Sequence, residues 1–289
     1  MVVAMQKNTA SRTALGAARL RYVHQILDNE PKILDDPIIG KIIGEDILIK
    51  IEETKFIYRT HQSMSLRSSI ILRSRYAEDR LHEAYKNDIR QYMILGAGLD
   101  TFPYRQPQWA KELKIFEVDH PSTQEEKKYR LRKANIEIPP NLVFVPIDFE
   151  SANLDEELER HGFRKDIPSF SSWLGVTVYL LENTIDNMLK FIVSFAPKSE
   201  LVFSFAQKMD NPTQDIKPIN SKYSTADSAA YVGEPWITFF TLQELERKLT
   251  KIGFRSFEFL DEESRRKYYK ERNDGLEPPK KISVVRVIV

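Results

Sequence analysis

The chain contains no cysteine, which excludes disulfide scaffolds, thiolate zinc sites, iron–sulfur clusters and cysteine nucleophiles together. Net charge is also nearly absent: 43 Lys and Arg against 42 Asp and Glu leave +1. No global field therefore draws the chain to a phosphate backbone or an anionic lipid surface, and neither nucleic acid nor membrane is an expected partner. Long apolar runs are missing. The stretches 142–145, 191–196 and 284–289 fall far short of the roughly 20 residues a membrane helix needs. The opening MVVAMQKNTASRTALG lacks the charged segment and roughly 7–15 apolar residues of a secretory leader, so a soluble cytoplasmic protein is expected. His24, His61, His82 and His161 have no metal-ligand spacing with one another, and no metal is assigned. What the chain does have is 289 residues, 42% of them apolar and 11% aromatic, enough for one large or two small packed domains rather than disorder.

Residues 11–30 carry Leu15, Ala18, Tyr22, Val23, Ile26 and Leu27 at helical spacing, with Ser11 as a candidate N-cap and Pro31 as a stop. A second amphipathic helix is expected over 66–88, through Ile70, Ala77, Leu81, Ala84 and Tyr85. The segment 1–90 thus reads as a helical unit. From residue 91 the texture changes to short apolar runs alternating with helical or polar segments, the pattern of βαβ units feeding a parallel sheet. Strands are expected at 91–95, 114–118, 142–147, 171–176, 200–205, 255–260 and 282–289. Pro121 suits a first helical turn, Gly162 a helix end, Thr184 an N-cap, and Thr241 with Glu244 a capping box closed by Gly253. The last two strands, separated by the charged segment 261–281, fit an antiparallel edge. Segment 207–235 breaks the rhythm, and a loop of that length is commonly functional.

The chemistry gathers at predicted strand tips. Immediately after the first strand stands Ile94-Leu95-Gly96-Ala97-Gly98-Leu99-Asp100, where glycines permit a sharp turn and close approach of a ligand to bare backbone. The third glycine of the dinucleotide fingerprint is replaced by Thr101, and Pro103 follows, which weakens a nicotinamide or flavin reading. Asp119 closes the second strand and can accept hydrogen bonds from both ribose hydroxyls. Asp148 and Phe149 close the third, an acid for an exocyclic amine beside a ring for stacking. Together they describe a pocket for an adenosine without a polyphosphate. A dinucleotide-dependent oxidoreductase and a non-catalytic nucleoside-binding protein share part of this pattern.

Five ordered blocks carry a more specific likeness: Leu72-Arg73-Ser74-Arg75-Tyr76-Ala77-Glu78-Asp79, Leu95-Gly96-Ala97-Gly98-Leu99-Asp100-Thr101, Phe116-Glu117-Val118-Asp119-His120-Pro121, Val145-Pro146-Ile147-Asp148-Phe149-Glu150 and Trp173-Leu174-Gly175-Val176-Thr177-Val178-Tyr179-Leu180. With these the chain resembles the S-adenosylmethionine-dependent methyltransferases related to leucine carboxyl methyltransferase. The resemblance implies an α/β fold, a Rossmann-like seven-stranded class I methyltransferase sheet over 91–289 with helices on both faces. It also implies a helical N-terminal cover over 1–90 and an inserted lid at 207–236. S-adenosylmethionine would be the cofactor. Its methionine carboxylate would meet Arg73, with Arg75 as the alternative. Gly96, Ala97, Gly98 and Gly175 would pass beneath it, Asp119 with His120 would hold the ribose, and Asp148 with Phe149 would face adenine.

One departure stands out: several relatives carry a glutamate where this chain has Leu174 before Gly175. Tyr179 is the candidate catalytic residue toward the acceptor, with His120 as a second possible proton acceptor. Tyr223, Tyr231 and Trp236 are candidate walls of the acceptor site. A small-molecule O-methyl acceptor is expected, with a protein C-terminal carboxylate as the alternative. Oligomeric state is left open.

Overall fold

A computed structural model describes residues 11–149, 154–208, 236–281 and 283–289. The first helix, α1 (Arg12–Leu27), starts where Ser11 Oγ accepts the Ala14 N–H at 3.1 Å, satisfying one of the amides that every helix start leaves open. It stops at Leu27, ahead of Pro31. Two short helices, α2 (Ile39–Ile43) and α3 (Glu45–Glu53), precede α4 (His61–Lys86), which Thr60 caps through the Ser63 N–H.

Beyond α4 the chain alternates as the apolar runs predict. In order come β1 (Gln91–Leu95), β2 (Lys114–Asp119), α5 (Pro121–Lys133), β3 (Leu142–Pro146), α6 (Leu154–Arg160) and β4 (Ser169–Trp173). They are followed by α7 (Glu182–Val193), β5 (Glu200–Ser204), α8 (Leu242–Ile252), β6 (Ser256–Phe259), α9 (Glu262–Lys267) and β7 (Val284–Ile288). Thr241 and Glu244 form the expected capping box of α8, and Gly253 ends that helix at φ 109°.

Two local expectations are corrected. β4 occupies Ser169–Trp173 rather than 171–176, because its register sets Ser169 against Gln91 and Trp173 against Phe203, and the chain then turns at Gly175 with φ 74°. Thr184 is not the cap of α7. The Ile185 N–H reaches the Leu181 carbonyl at 3.1 Å, so the helix is already under way before Thr184.

The sheet order is β3-β2-β1-β4-β5-β7-β6, with only β7 antiparallel to its neighbours. The final strands do pair antiparallel at one edge of the sheet, with β7 between β5 and the outermost β6. Val285 and Val287, fully buried, face Phe203 and Leu201 across that ladder. β6 exposes Ser256 and Glu258 and tolerates the edge. Along β1, Met93 and Leu95 face a core shared with Leu158, Leu189 and Leu249 of α6, α7 and α8. Tyr92 and Ile94 face Ile71, Leu72 and Leu81 of α4. Both faces are covered, which is why the strands read as continuous apolar runs. A third cluster joins α1, α2 and α3 to Leu131 of α5. None of the described helices is long and apolar enough to cross a membrane.

One ion pair lies wholly inside this packing. Lys127 of α5 donates to Glu117 Oε1 of β2 at 2.7 Å. Burial pushes Glu117 up to about 7, with Lys127 pulling it back. Because the folded chain holds that proton to higher pH than an unfolded one, stability falls as the pH rises from about 4.5 toward 7. Removing one partner of a buried pair typically costs about 3–5 kcal/mol. Lys127→Met is therefore expected to lose about that much at pH 8 and clearly less at pH 6, where Glu117 takes up a proton. Urea unfolding at the two pH values checks this, and an equal loss at both would contradict a charged pair.

Candidate functional site

In an open α/β sheet the strand order reverses at one crevice, here between β1 and β4, and ligands bind outside the strand tips there. The loop after β1 folds back on β2, since the amides of Gly96 and Ala97 both donate to the Val118 carbonyl, at 2.8 and 3.2 Å. Gly96 adopts φ 65°, and a Cβ there would collide with Val176 Cγ2. A Cβ on Gly98 would stand 3.1 Å from that of Ala14 in α1. Two neighbouring segments of the chain itself, besides any ligand, thus exclude side chains from this loop.

Asp119, at the tip of β2, is bound to the same loop. Its Oδ2 accepts the Gly98 N–H at 2.5 Å and its Oδ1 the His120 N–H at 2.6 Å. Burial pushes its carboxyl up, while these two amides pull it back down. His120 is the N-cap of α5: its Nδ1 accepts the Ser122 N–H at 3.3 Å and lies 2.8 Å from Ser122 Oγ. Asp148 and Phe149 follow β3, whose end is held beside Asp119 by the Ile147 N–H donating to the Asp119 carbonyl at 2.8 Å. Phe149 is half-buried against the core.

The opposite wall comes from α4 and the turn after β4. Arg73 makes no hydrogen bond or ion pair with any described residue, and its Nε is buried without a partner. Its guanidinium lies against Gly175, where a Cβ would come within 2.8 Å of Cζ and 2.9 Å of Nη1. Burial pushes Arg73 down to about 10, Tyr179 opposing and Arg21 adding to the shift. Arg75 behaves differently. Its side chain is 44% exposed and pairs with Asp79 at 2.7 Å, one helical turn on. The structure brings Arg73 to the Gly175 turn and leaves Arg75 on the surface, as their offset of two residues on a helix requires.

Tyr179 closes a short 3₁₀ turn, Thr177–Tyr179, beyond β4. The Trp236 indole N–H donates to its hydroxyl oxygen at 3.3 Å, and the Ile237 N–H donates to the Val178 carbonyl at 2.8 Å. Trp236 therefore does stand beside Tyr179. Tyr223, Tyr231 and nearly all of the expected lid 207–236 lie outside the described residues.

Sequence reasoning missed the residues that hold the loop from the cover side. Arg21 of α1 donates to the Leu99 carbonyl at 2.7 Å and pairs with buried Asp36 at 3.2 Å. Thr101 Oγ1 donates to Asp36 at 2.8 Å, Arg105 Nε donates to Thr101 Oγ1 at 3.0 Å, and Arg105 also pairs with Glu78. The sequence signal for them is weak: Arg21 follows Ala17 and Ala18 by one helical turn but is itself followed by His24 and Gln25.

The model of the leucine carboxyl methyltransferase family matches residues 14–193. A protein of Bacillus subtilis strain 168, YktD, named as a candidate S-adenosyl-L-methionine-dependent methyltransferase, is 33% identical over 295 residues, covering 94% of this chain and 95% of that one. A Mycobacterium marinum protein of like name is 26% identical over 231 residues, 72% of each chain. The solved structure of a protein from Thermobifida fusca YX, named as a candidate methyltransferase, shares the fold at a TM-score of 0.53 and 16% identity, covering 98% of this chain and 96% of that one. With a likeness that spans the cover, the glycine loop and both strand-tip acids, this protein belongs to the leucine carboxyl methyltransferase family and is an S-adenosylmethionine-dependent methyltransferase.

Proposed function

We propose that the enzyme acts in the cytoplasm on a small molecule, placing the methyl group on a carboxylate or hydroxyl oxygen. Arg73, Gly96, Ala97, Gly98, Asp119, His120, Asp148, Phe149 and Gly175 form the cofactor cradle in this reading, and Tyr179 meets the acceptor. The observation that carries it is Arg73, a half-buried guanidinium packed on the Gly175 turn, its Nε buried and with no anion among the described residues. A planar fork of that kind suits a carboxylate, and the amino-acid end of S-adenosylmethionine supplies one. Asp119 fits the ribose. Two of its roughly four acceptor positions go to backbone amides, and the others are left for neighbouring hydroxyls. With Leu174 in place of a glutamate, backbone carbonyls of the turns at Gly96 and Gly175 are the nearest candidates for the cofactor's ammonium.

S-adenosylmethionine brings a methyl group already activated on sulfonium. The chain's share is to hold acceptor and donor in line, an effect worth up to roughly 7–11 kcal/mol. A hydroxyl acceptor would also need a base within reach. Around the crevice, His120 Nδ1 is engaged by Ser122, Glu78 by Arg105, and Asp36 by Arg21 and Thr101. Tyr179 takes the Trp236 N–H on its oxygen, which leaves its own proton to donate toward the acceptor. A carboxylate arrives ionised, and of the two oxygen classes it is the better fit.

Isothermal titration with S-adenosylhomocysteine should show one site per chain. Incubating the enzyme with methyl-labelled S-adenosylmethionine and a cell extract should then move label into base-labile small molecules. Label recovered in precipitated protein would favour a protein C-terminal carboxylate instead.

A further inference from the structure

Ser204 is the last residue of β5 and is buried. The regular ladder between β4 and β5 stops at Trp173 opposite Phe203, so the Gly175 amide lies beyond the reach of backbone pairing. Ser204 supplies the missing acceptor, its Oγ taking the Gly175 N–H at 2.7 Å. Its carbonyl meanwhile accepts the Thr177 hydroxyl at 2.6 Å. One residue thus holds the turn after β4 at two points. The anchor is itself fixed from the other side, because Ser204 pairs with Val284 of β7 and the Phe205 N–H donates to the Ser283 carbonyl at 2.9 Å.

What this turn supports is Arg73. Gly175 is held in the left-handed region, φ 74°, and the guanidinium lies directly on it. Its Nε is buried without a partner, so among the described residues packing on the turn is what seats the guanidinium, with Tyr179 acting on its charge. Packing against a turn fixes a side chain only as well as the turn is fixed.

We propose that Ser204 is a positioning residue for the cofactor's amino-acid end, holding the Gly175 turn so that the Arg73 fork stands ready for a carboxylate. The inference rests on the reading of Arg73 given above. Its action falls first on that turn: Val176 of the turn packs on Gly96, but the glycine loop has hydrogen bonds of its own, from Gly96 and Ala97 to the Val118 carbonyl, from Gly98 to Asp119 and from Arg21 to the Leu99 carbonyl.

Two probes separate this role from a general structural one. S-adenosylhomocysteine carries the amino-acid carboxylate, and 5′-methylthioadenosine has the same nucleoside without it. Ser204→Ala leaves the Gly175 amide unpaired and is expected to weaken S-adenosylhomocysteine about tenfold by calorimetry, with methylthioadenosine changed by less than about twofold. Ser204→Thr, which keeps the hydroxyl, should restore binding to near wild type. Ser204→Cys, similar in size but a weak acceptor, should fall between them and serves as the probe if the alanine variant fails to fold. An unchanged S-adenosylhomocysteine affinity in both the alanine and cysteine variants, or an equal loss for the two probes, would overturn the proposal. Failure of the wild-type protein to bind S-adenosylhomocysteine more tightly than methylthioadenosine would instead remove the Arg73 reading beneath it.

Discussion

Arg73→Met is expected to lose at least about thirtyfold in affinity for S-adenosylhomocysteine while binding 5′-methylthioadenosine as the wild type does. Truncating one partner of a buried, hydrogen-bonded charge pair costs about 2–5 kcal/mol, much of it from stranding the other charge. Here the stranded charge would be the ligand's carboxylate, and the nearest other arginine acting on this one among the described residues, Arg21, is already committed to Asp36 and the Leu99 carbonyl. The same variant should be more stable than the wild type without ligand, because a half-buried guanidinium whose Nε is buried without a partner is a liability until its anion arrives. Thermal melts with and without S-adenosylhomocysteine read both effects. Arg73→Lys should not rescue binding, since an ammonium on a flexible stem neither lies flat on Gly175 nor offers a fork. Arg73 is pushed down to about 10 yet remains charged at neutral pH. Wild-type affinity should therefore be flat between pH 6 and 8 as far as this group is concerned, and fall as the pH approaches 10. Equal loss of the two ligands in Arg73→Met would show that the guanidinium supports the fold rather than the carboxylate.

Asp119→Ala has the second large effect, with the opposite signature: both ligands should weaken, each by roughly 10- to 150-fold. Losing hydrogen bonds to a charged acceptor costs about 1.5–3 kcal/mol, and this carboxylate also ties the Gly98 amide to the start of α5. Asp119→Asn, which keeps one acceptor oxygen, should lose less. Burial raises the Asp119 carboxyl, and its ionised form is the one that accepts from the ribose, so affinity should drop on the acid side as the group takes up its proton. Calorimetry with both ligands at pH 7.5 and 5 checks this, and an Asp119→Ala variant that bound adenosine ligands normally would detach the ribose from β2. Gly98→Val is a less selective probe of the same loop. Its backbone stands at φ 48° and α1 approaches it, so the substitution strains the chain and displaces the cover before any ligand is involved.

Much of this architecture is legible in the order of residues because it depends on neighbours in the chain. Strand positions follow from apolar runs buried on two faces, and caps such as Ser11, Thr241 and Gly253 act within one helical turn. The strand-tip acids and glycines follow from the βαβ rhythm, which delivers every parallel strand's end to the same edge of the sheet.

Where two distant segments compete for one partner, local pattern has nothing to say. Val284–Ile288 was readable as a strand, but its place between β5 and β6 comes from valines meeting Leu201 and Phe203 far away in the chain. Arg73 and Arg75 share a motif, and folding packs one on Gly175 while the other meets Asp79. Arg21, Asp36 and Ser204 carry no motif at all. Their roles exist only once α1, the glycine loop and the turn after β4 lie within hydrogen-bond reach of one another, an outcome of packing that chain order does not encode locally.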